Sequence, residues 1–248
     1  MKKGFGDLFS SSMDEYKKNF KLFLIFVLIF SVVPSLLLFL VNPEYSNNQF
    51  NLTSLSHSNY FVFSLFLLIS VLLGFLLNAS LIYFALNNKK LSFSETLKGG
   101  LSYFWKYTGL TIVLFFFLIL LFILLIIPGI IFMIYWQFAF YVLIAERAGI
   151  LKSLKRSKEL VKGRWWKVLG YFILIYLIFI GISWVISLPN TMIQSSVLGF
   201  IINSIYNIIY IPFMILFFKN FYLDLKSDKS ETKTEQVKVK KKVKKKKK

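Results

Sequence analysis

Six long apolar runs divide this 248-residue chain, at 22–41, 60–86, 107–127, 129–145, 168–188 and 198–218, and none contains Asp, Glu, Lys or Arg. A bilayer's hydrocarbon core is about 30 Å thick and takes about 20 apolar residues to cross as helix. Five runs reach that length; the fourth, with 17 residues, is the shortest. In lipid each run must satisfy its own backbone N–H and C=O groups, which a helix does. The alternating polarity of a membrane barrel is absent. The chain is 57% hydrophobic and 19% aromatic, more apolar side chain than a water-soluble domain of this length can bury. The expected fold is all-α: a polytopic integral membrane protein with six transmembrane helices in three hairpins and interfacial amphipathic helices.

The charges give orientation. Segment 1–21 holds five basic residues, 87–106 holds four, 146–167 holds eight, and the chain from Lys219 onward holds thirteen, which accounts for all 30. The connections between them, at 42–59, Pro128-Gly129 and 189–197, hold none. With six spans the four basic segments share one side, which the positive-inside rule makes cytoplasmic, together with both termini. The expected location is the cell membrane. Met1-Lys2-Lys3 ahead of an apolar run resembles a signal peptide, but the run begins only at Leu22 and no small-residue cleavage site follows, so a retained span is expected. The formal charge of +19 then reads as topology, and no specific nucleic acid partner is expected. Pro128-Gly129 is expected to form a tight reversal, and Pro34 and Pro212 to kink the spans that contain them.

Three entries into apolar runs look alike: "DEYKKNFKLFLIF", "LSYFWKYTGLTIVL" and "KGRWWKVLGYFIL". Trp105-Lys106 precedes Pro128-Gly129, and Trp166-Lys167 precedes Pro189-Asn190, both at an offset of 23. Three units follow, roughly 1–86, 87–147 and 148–222. Within 148–167, Ile150, Leu154, Val161 and Trp165 recur at helical spacing while Lys152, Lys155, Arg156, Lys158 and Lys162 occupy the rest of the circumference. That pattern predicts a basic helix lying in a membrane interface and turning at Gly163. A weaker version spans 91–105, with Leu97, Leu101 and Trp105. Lys155, Arg156, Lys162, Arg164 and Lys167 are the expected contacts to anionic lipid headgroups, with Trp165 and Trp166 setting depth.

The run "PGIIFMIYWQFAFYVLIAERAGILKSLKRSKELVKGRWWKVLGYFIL" resembles the membrane domain of some glycerophosphoryl diester phosphodiesterases and related uncharacterised prokaryotic six-helix proteins. The likeness rests on Pro128-Gly129, Glu146, Gly149, Leu154–Gly163 and Trp165-Trp166, and covers about residues 125–175. In the bifunctional relatives catalysis belongs to a separate soluble barrel with His, Glu and Asp around a metal. This chain has one histidine, His57, and no cysteine, so the resemblance implies the membrane module without the enzyme.

No nucleophile–base pair, metal cluster or phosphate loop is apparent, so neither a catalytic residue, a metal nor a cofactor is expected. Among the polar residues inside the runs, Asn78, Gln137, Asn203 and Asn207, with Ser70, Ser80, Ser183 and Ser187, are the candidates for a role beyond packing. Two readings stand: hydrogen bonds between helices, or a polar path or pocket between spans two, four and six. Ser70, Gly74 and Asn78 form a small-residue stripe suited to close helix contact. Glu146 is read as an interfacial carboxylate paired with Lys or Arg, or as a catalytic or coupling acid. Asn51-Leu52-Thr53 fits a glycosylation acceptor. Residues 1–225 are expected to form the membrane domain, and 226–248, with twelve Lys and three acids, a disordered cytoplasmic tail. That tail could attract the anionic leaflet, touch ribosomal RNA, or stay solvated. The leading expectation is a non-enzymatic, membrane-organising protein that contacts anionic lipid; the alternatives are a transporter or permease component, or an insertase-like assembly factor.

Overall fold

The computed structural model describes residues 2–41, 57–87, 91–193 and 195–246; side chains are described only to residue 229, and not at 41 or 57–60. The Asn51-Leu52-Thr53 triplet and the His57 side chain therefore lie outside the described residues. All regular structure among the described residues is helical: α1 (Phe5–Lys18), α2 (Phe20–Val27), a π-helical turn (Leu28–Val32), α3 (Val33–Val41), α4 (His57–Leu86), α5 (Phe93–Leu124), α6 (Ile126–Trp136), α7 (Ala139–Ala145), α8 (Ile150–Val161), α9 (Trp165–Ile193) and α10 (Ser196–Lys246). Six stretches are long and apolar enough to cross a membrane: Phe20–Leu40, Phe61–Leu86, Phe93–Leu124, Ile126–Ala145, Trp165–Ile193 and Ser196–Lys229.

The helices overrun the apolar runs for local reasons. α5 begins at Phe93 rather than near Tyr107 because Ser92 and Glu95 form a capping box, Ser92 N–H donating to the Glu95 carboxylate at 2.8 Å. The weak amphipathic stretch expected at 91–105 is thus the first part of the third long helix. The break after α5 falls at Leu125, in extended conformation, and Pro128-Gly129 sits in the first turn of α6. A first-turn residue needs no N–H, so proline starts this helix instead of making the expected turn. Pro189, expected in a connection, lies inside α9. The π-helical turn Leu28–Val32 ends two residues before Pro34, a common way for a helix to absorb a distortion.

The core centres on α10. Every residue from Pro212 to Tyr222 is buried, as expected of a helix surrounded by others. Phe217 and Phe221 meet Phe5 of α1, Phe138 at the start of α7, and Tyr171 of α9. α1 packs against the same helix through Phe9–Phe213, with ring centroids 5.0 Å apart. α4 and α5 approach one another closely: a Cβ on Gly100 would lie 2.7 Å from the Ser80 Cα, and one on Gly99 would overlap the Tyr83 ring. The small residues that bring backbones together are therefore Ser80, Gly99 and Gly100. A Cβ on Gly74, in the stripe expected to do this, would meet nothing within 4 Å.

α10 continues past residue 225, the expected end of the membrane domain, to Lys246. Over 226–229 the cause is visible, because Lys226 pairs with Glu146 and Asp228 with Arg164.

Candidate functional site

The basic segment 146–167 folds as α8, a turn, and the first residues of α9. Gly163 makes that turn with φ +89°, a left-handed conformation natural to glycine. Leu154, Leu160 and Val161 are buried, which fixes the inner face of α8. The Ser157 hydroxyl joins that face to the gap between α6 and α7: it donates to the Tyr135 carbonyl at 2.7 Å and accepts from the Phe138 N–H at 3.2 Å.

Two of the expected headgroup contacts are committed elsewhere. Arg156 donates to Glu146 at 3.3 Å and lies 3.4 Å from Glu159, and Arg164 pairs with Asp228. Glu146 also accepts from the Tyr222 hydroxyl at 3.0 Å and lies 3.2 Å from the Lys226 ammonium. Partial burial opposes ionisation of Glu146, but the hydrogen bonds from Tyr222 and Lys226 and the charges of Lys226 and Arg156 outweigh it, so its carboxyl is held below the ordinary range. The pairing with Arg and Lys expected of Glu146 is therefore present. Trp165 turns inward and donates its indole N–H to the Ile131 carbonyl at 3.2 Å.

What remains outward is a consistent set. Lys155, Lys162, Trp166 and Lys167 are exposed, Trp166 at 78%. Neither Lys155, Lys162 nor Lys167 has an ion-pair partner among the described residues. The other aromatic entry is similar: Trp105 is exposed beside exposed Lys106.

A second basic feature lies in the first aromatic entry, "DEYKKNFKLFLIF", whose lysines the sequence marks as a charged entry into an apolar run but not as a cleft. α1 ends at Lys18, Asn19 breaks the helix, and α2 begins at Phe20. Lys18 and Lys21 flank this break at the rim of a cleft of about 390 Å³, whose walls include Leu22, Ile25, Phe84, Leu91 and Phe93. Both lysines are exposed, with no ion-pair partner among the described residues. The three-residue spacing that places Lys18 and Lys21 near one another is in the sequence; the apolar walls are shared by α2 (Leu22, Ile25), α4 (Phe84) and the start of α5 with the residue before it (Phe93, Leu91).

The polar residues singled out within the apolar runs divide. Asn78 and Gln137 line one cleft of about 320 Å³, together with Tyr107, Tyr141, Tyr176 and Tyr210. Asn203 and Asn207 are not among its lining; Asn203 is exposed and Asn207 half-buried. Among the described residues no three of His, Cys, Asp and Glu group as metal donors.

A family model described as a domain of unknown function, DUF7847, matches residues 52–225. No curated protein and no solved structure matches the chain.

Proposed function

We propose that this chain, which belongs to the DUF7847 family, is a non-enzymatic multi-pass protein of the cell membrane that gathers anionic lipid at a basic cytoplasmic face. The six apolar helices are arranged as three hairpins, with both termini in the cytoplasm. Large apolar side chains such as Phe115, Ile123, Ile127 and Trp184 are exposed on a scale that a protein surrounded by water would not tolerate. All basic residues fall in segments that six crossings bring to one side. The family match shows no link between 125–175 and the membrane domain of glycerophosphoryl diester phosphodiesterases, so the resemblance read in that run carries no part of this proposal.

The observation that carries the lipid reading is the cleft rimmed by Lys18 and Lys21. Two ammonium groups suit a phosphate, and Leu22, Ile25, Phe84 and Phe93 suit the upper part of an acyl chain. Lys155, Lys162 and Lys167, with Trp166 at headgroup depth, extend the same chemistry around the molecule. Each lysine near an anionic surface contributes about 1 kcal/mol, falling off within a Debye length.

The test uses purified full-length protein in nanodiscs of mixed phosphatidylglycerol and phosphatidylcholine, with one lipid or the other brominated. Stronger tryptophan quenching by brominated phosphatidylglycerol is expected, together with loss of that preference in Lys18→Glu/Lys21→Glu. Equal quenching by the two lipids, or a preference unchanged by charge reversal at 18, 21, 155, 162 and 167, would end the proposal. The alternative of a transporter or permease component is favoured by the cleft that joins Asn78 and Gln137. It requires solute flux in proteoliposomes that disappears in Asn78→Leu or Gln137→Leu.

A further inference from the structure

The fourth long apolar stretch is two helices. α6 stops at Trp136, α7 starts at Ala139, and Gln137 occupies the gap. A helix interrupted at membrane depth frees backbone groups that lipid cannot satisfy, so such gaps occur where protein or a polar cavity covers them. Ser157 satisfies the Tyr135 carbonyl and the Phe138 N–H from one side. Beside the gap lies the 320 Å³ cleft.

Its hydrogen-bonding groups are only partly used. The Tyr141 hydroxyl donates to the Ile215 carbonyl at 3.1 Å, and the Asn78 amide donates to the Gly74 carbonyl at 2.8 Å. The Asn78 carbonyl oxygen accepts nothing from a described residue. Gln137 makes no side-chain hydrogen bond among the described residues, and neither does the Tyr107 hydroxyl, although Tyr107 is only 8% exposed. Asn78 lies eight residues from Leu86, and Gln137 eight from Ala145. That is about 12 Å of helix from the ends next to the basic segments. Unpaired amides and hydroxyls at that depth cost free energy unless something polar meets them.

The lining selects the occupant's chemistry. All twelve lining residues are uncharged, so an ionic group would enter without a counter-charge. Amide and phenol groups donate and accept, while the Tyr107 and Phe140 rings, with centroids 4.5 Å apart, and Ile82, Ile211 and Met214 offer apolar contact. The volume is at the small end of ligand pockets, which run from about 300 to 1,000 Å³; it takes a headgroup and leaves acyl chains outside. We propose that this cleft holds the neutral, hydroxyl-bearing head of a membrane lipid, bound by Gln137, Tyr107 and Asn78. The site differs from the basic face in place and in ligand, and it stands whether or not that face prefers anionic lipid.

The test places full-length protein in phosphatidylcholine nanodiscs with a diacylglycerol carrying a photoreactive diazirine near its glycerol, and maps adducts by peptide mass spectrometry. Adducts are expected on peptides containing Asn78, Tyr107 and Gln137. Unlabelled diacylglycerol or glycosyl diacylglycerol should reduce them at least tenfold, and phosphatidylglycerol or free glycerol should not. Tyr107→Phe/Gln137→Leu should lower labelling by a similar factor while melting temperature and tryptophan emission stay as in the unmodified protein. Adducts confined to other surfaces, or competition equally strong from phosphatidylglycerol, overturn the proposal. Competition by free glycerol overturns the assignment to a lipid. Wild-type adduct mapping decides the matter even if the double variant fails to fold.

Discussion

Glu146 shows how one residue can tie three parts of the chain together. It ends the α7 segment, yet Arg156 of α8 and Tyr222 and Lys226 of α10 all reach it. Because the folded carboxyl is held below its ordinary value of 4.5, its ionisation favours the folded state. That contribution is complete above the ordinary value and is lost as pH falls through the depressed one. Glu146→Gln is therefore expected to cost about 1.5–3 kcal/mol at neutral pH, the range for a hydrogen bond to a charged group. It should also flatten the acid limb: melting temperature measured from neutral pH down to about pH 3 should fall less in the variant than in the unmodified protein, the difference opening below the ordinary carboxyl value. Parallel curves would show that Glu146 stays ionised to the same extent in both states. The acid itself was legible in the sequence as an interfacial carboxylate beside basic residues. Tyr222 and Lys226 were not, because no pattern along the chain relates positions 76 and 80 residues further on.

Among the elements, α8 and the broken fourth stretch depend on each other. Ser157 is the only side chain that reaches both the Tyr135 carbonyl and the Phe138 N–H among the described residues. Ser157→Ala leaves a buried donor and acceptor unmet, so a loss of about 1–3 kcal/mol is expected. Amide exchange at residues 137–139 should accelerate more than exchange in α9; equal acceleration throughout would point to general loosening instead. The amphipathic period of 150–161 was readable because a helix face needs only local spacing. Its partner was not, since a serine on a basic helix carries no mark of the backbone gap it fills. The prolines carry the same lesson in reverse. Pro128 and Pro189 share an offset from Trp-Lys pairs, yet one opens α6 and the other lies within α9. Proline forbids an N–H hydrogen bond and says nothing about whether the chain there is starting a helix or bending one. The close approach of α4 and α5 at Ser80 and Gly100 was likewise obscured, because Ser70, Gly74 and Asn78 offered an equally plausible stripe; only tertiary contact decides which small residues meet a neighbour.

Across the whole molecule, the N-terminal helix is locked to the last one by a charge pair that the apolar runs hide. The Lys219 ammonium lies 2.6 Å from the Glu15 carboxylate with its side chain only 6% exposed, and Asn220 donates to the Ser12 hydroxyl at 3.1 Å. Removing one member of a buried pair costs about 3–5 kcal/mol. Glu15 is itself more than a third exposed, which places Glu15→Ala at the lower end. Glu15→Leu/Lys219→Met should recover most of the melting temperature, since no charge is then left buried; failure to recover would assign the loss to packing of α1. The largest-scale prediction concerns which solvent each connection meets, and the absence of cysteine makes it directly testable. Phe50→Cys, Lys98→Cys, Lys155→Cys and Ile193→Cys report on four connections, one at a time. With an impermeant maleimide and intact cells, positions 50 and 193 should react and 98 and 155 should react only after permeabilisation, the result required by six crossings with every basic segment inside. If 155 labels from outside while 98 does not, the interrupted α6–α7 stretch does not cross as one span. The basic face and the cleft would then have to be reassigned to different sides of the membrane.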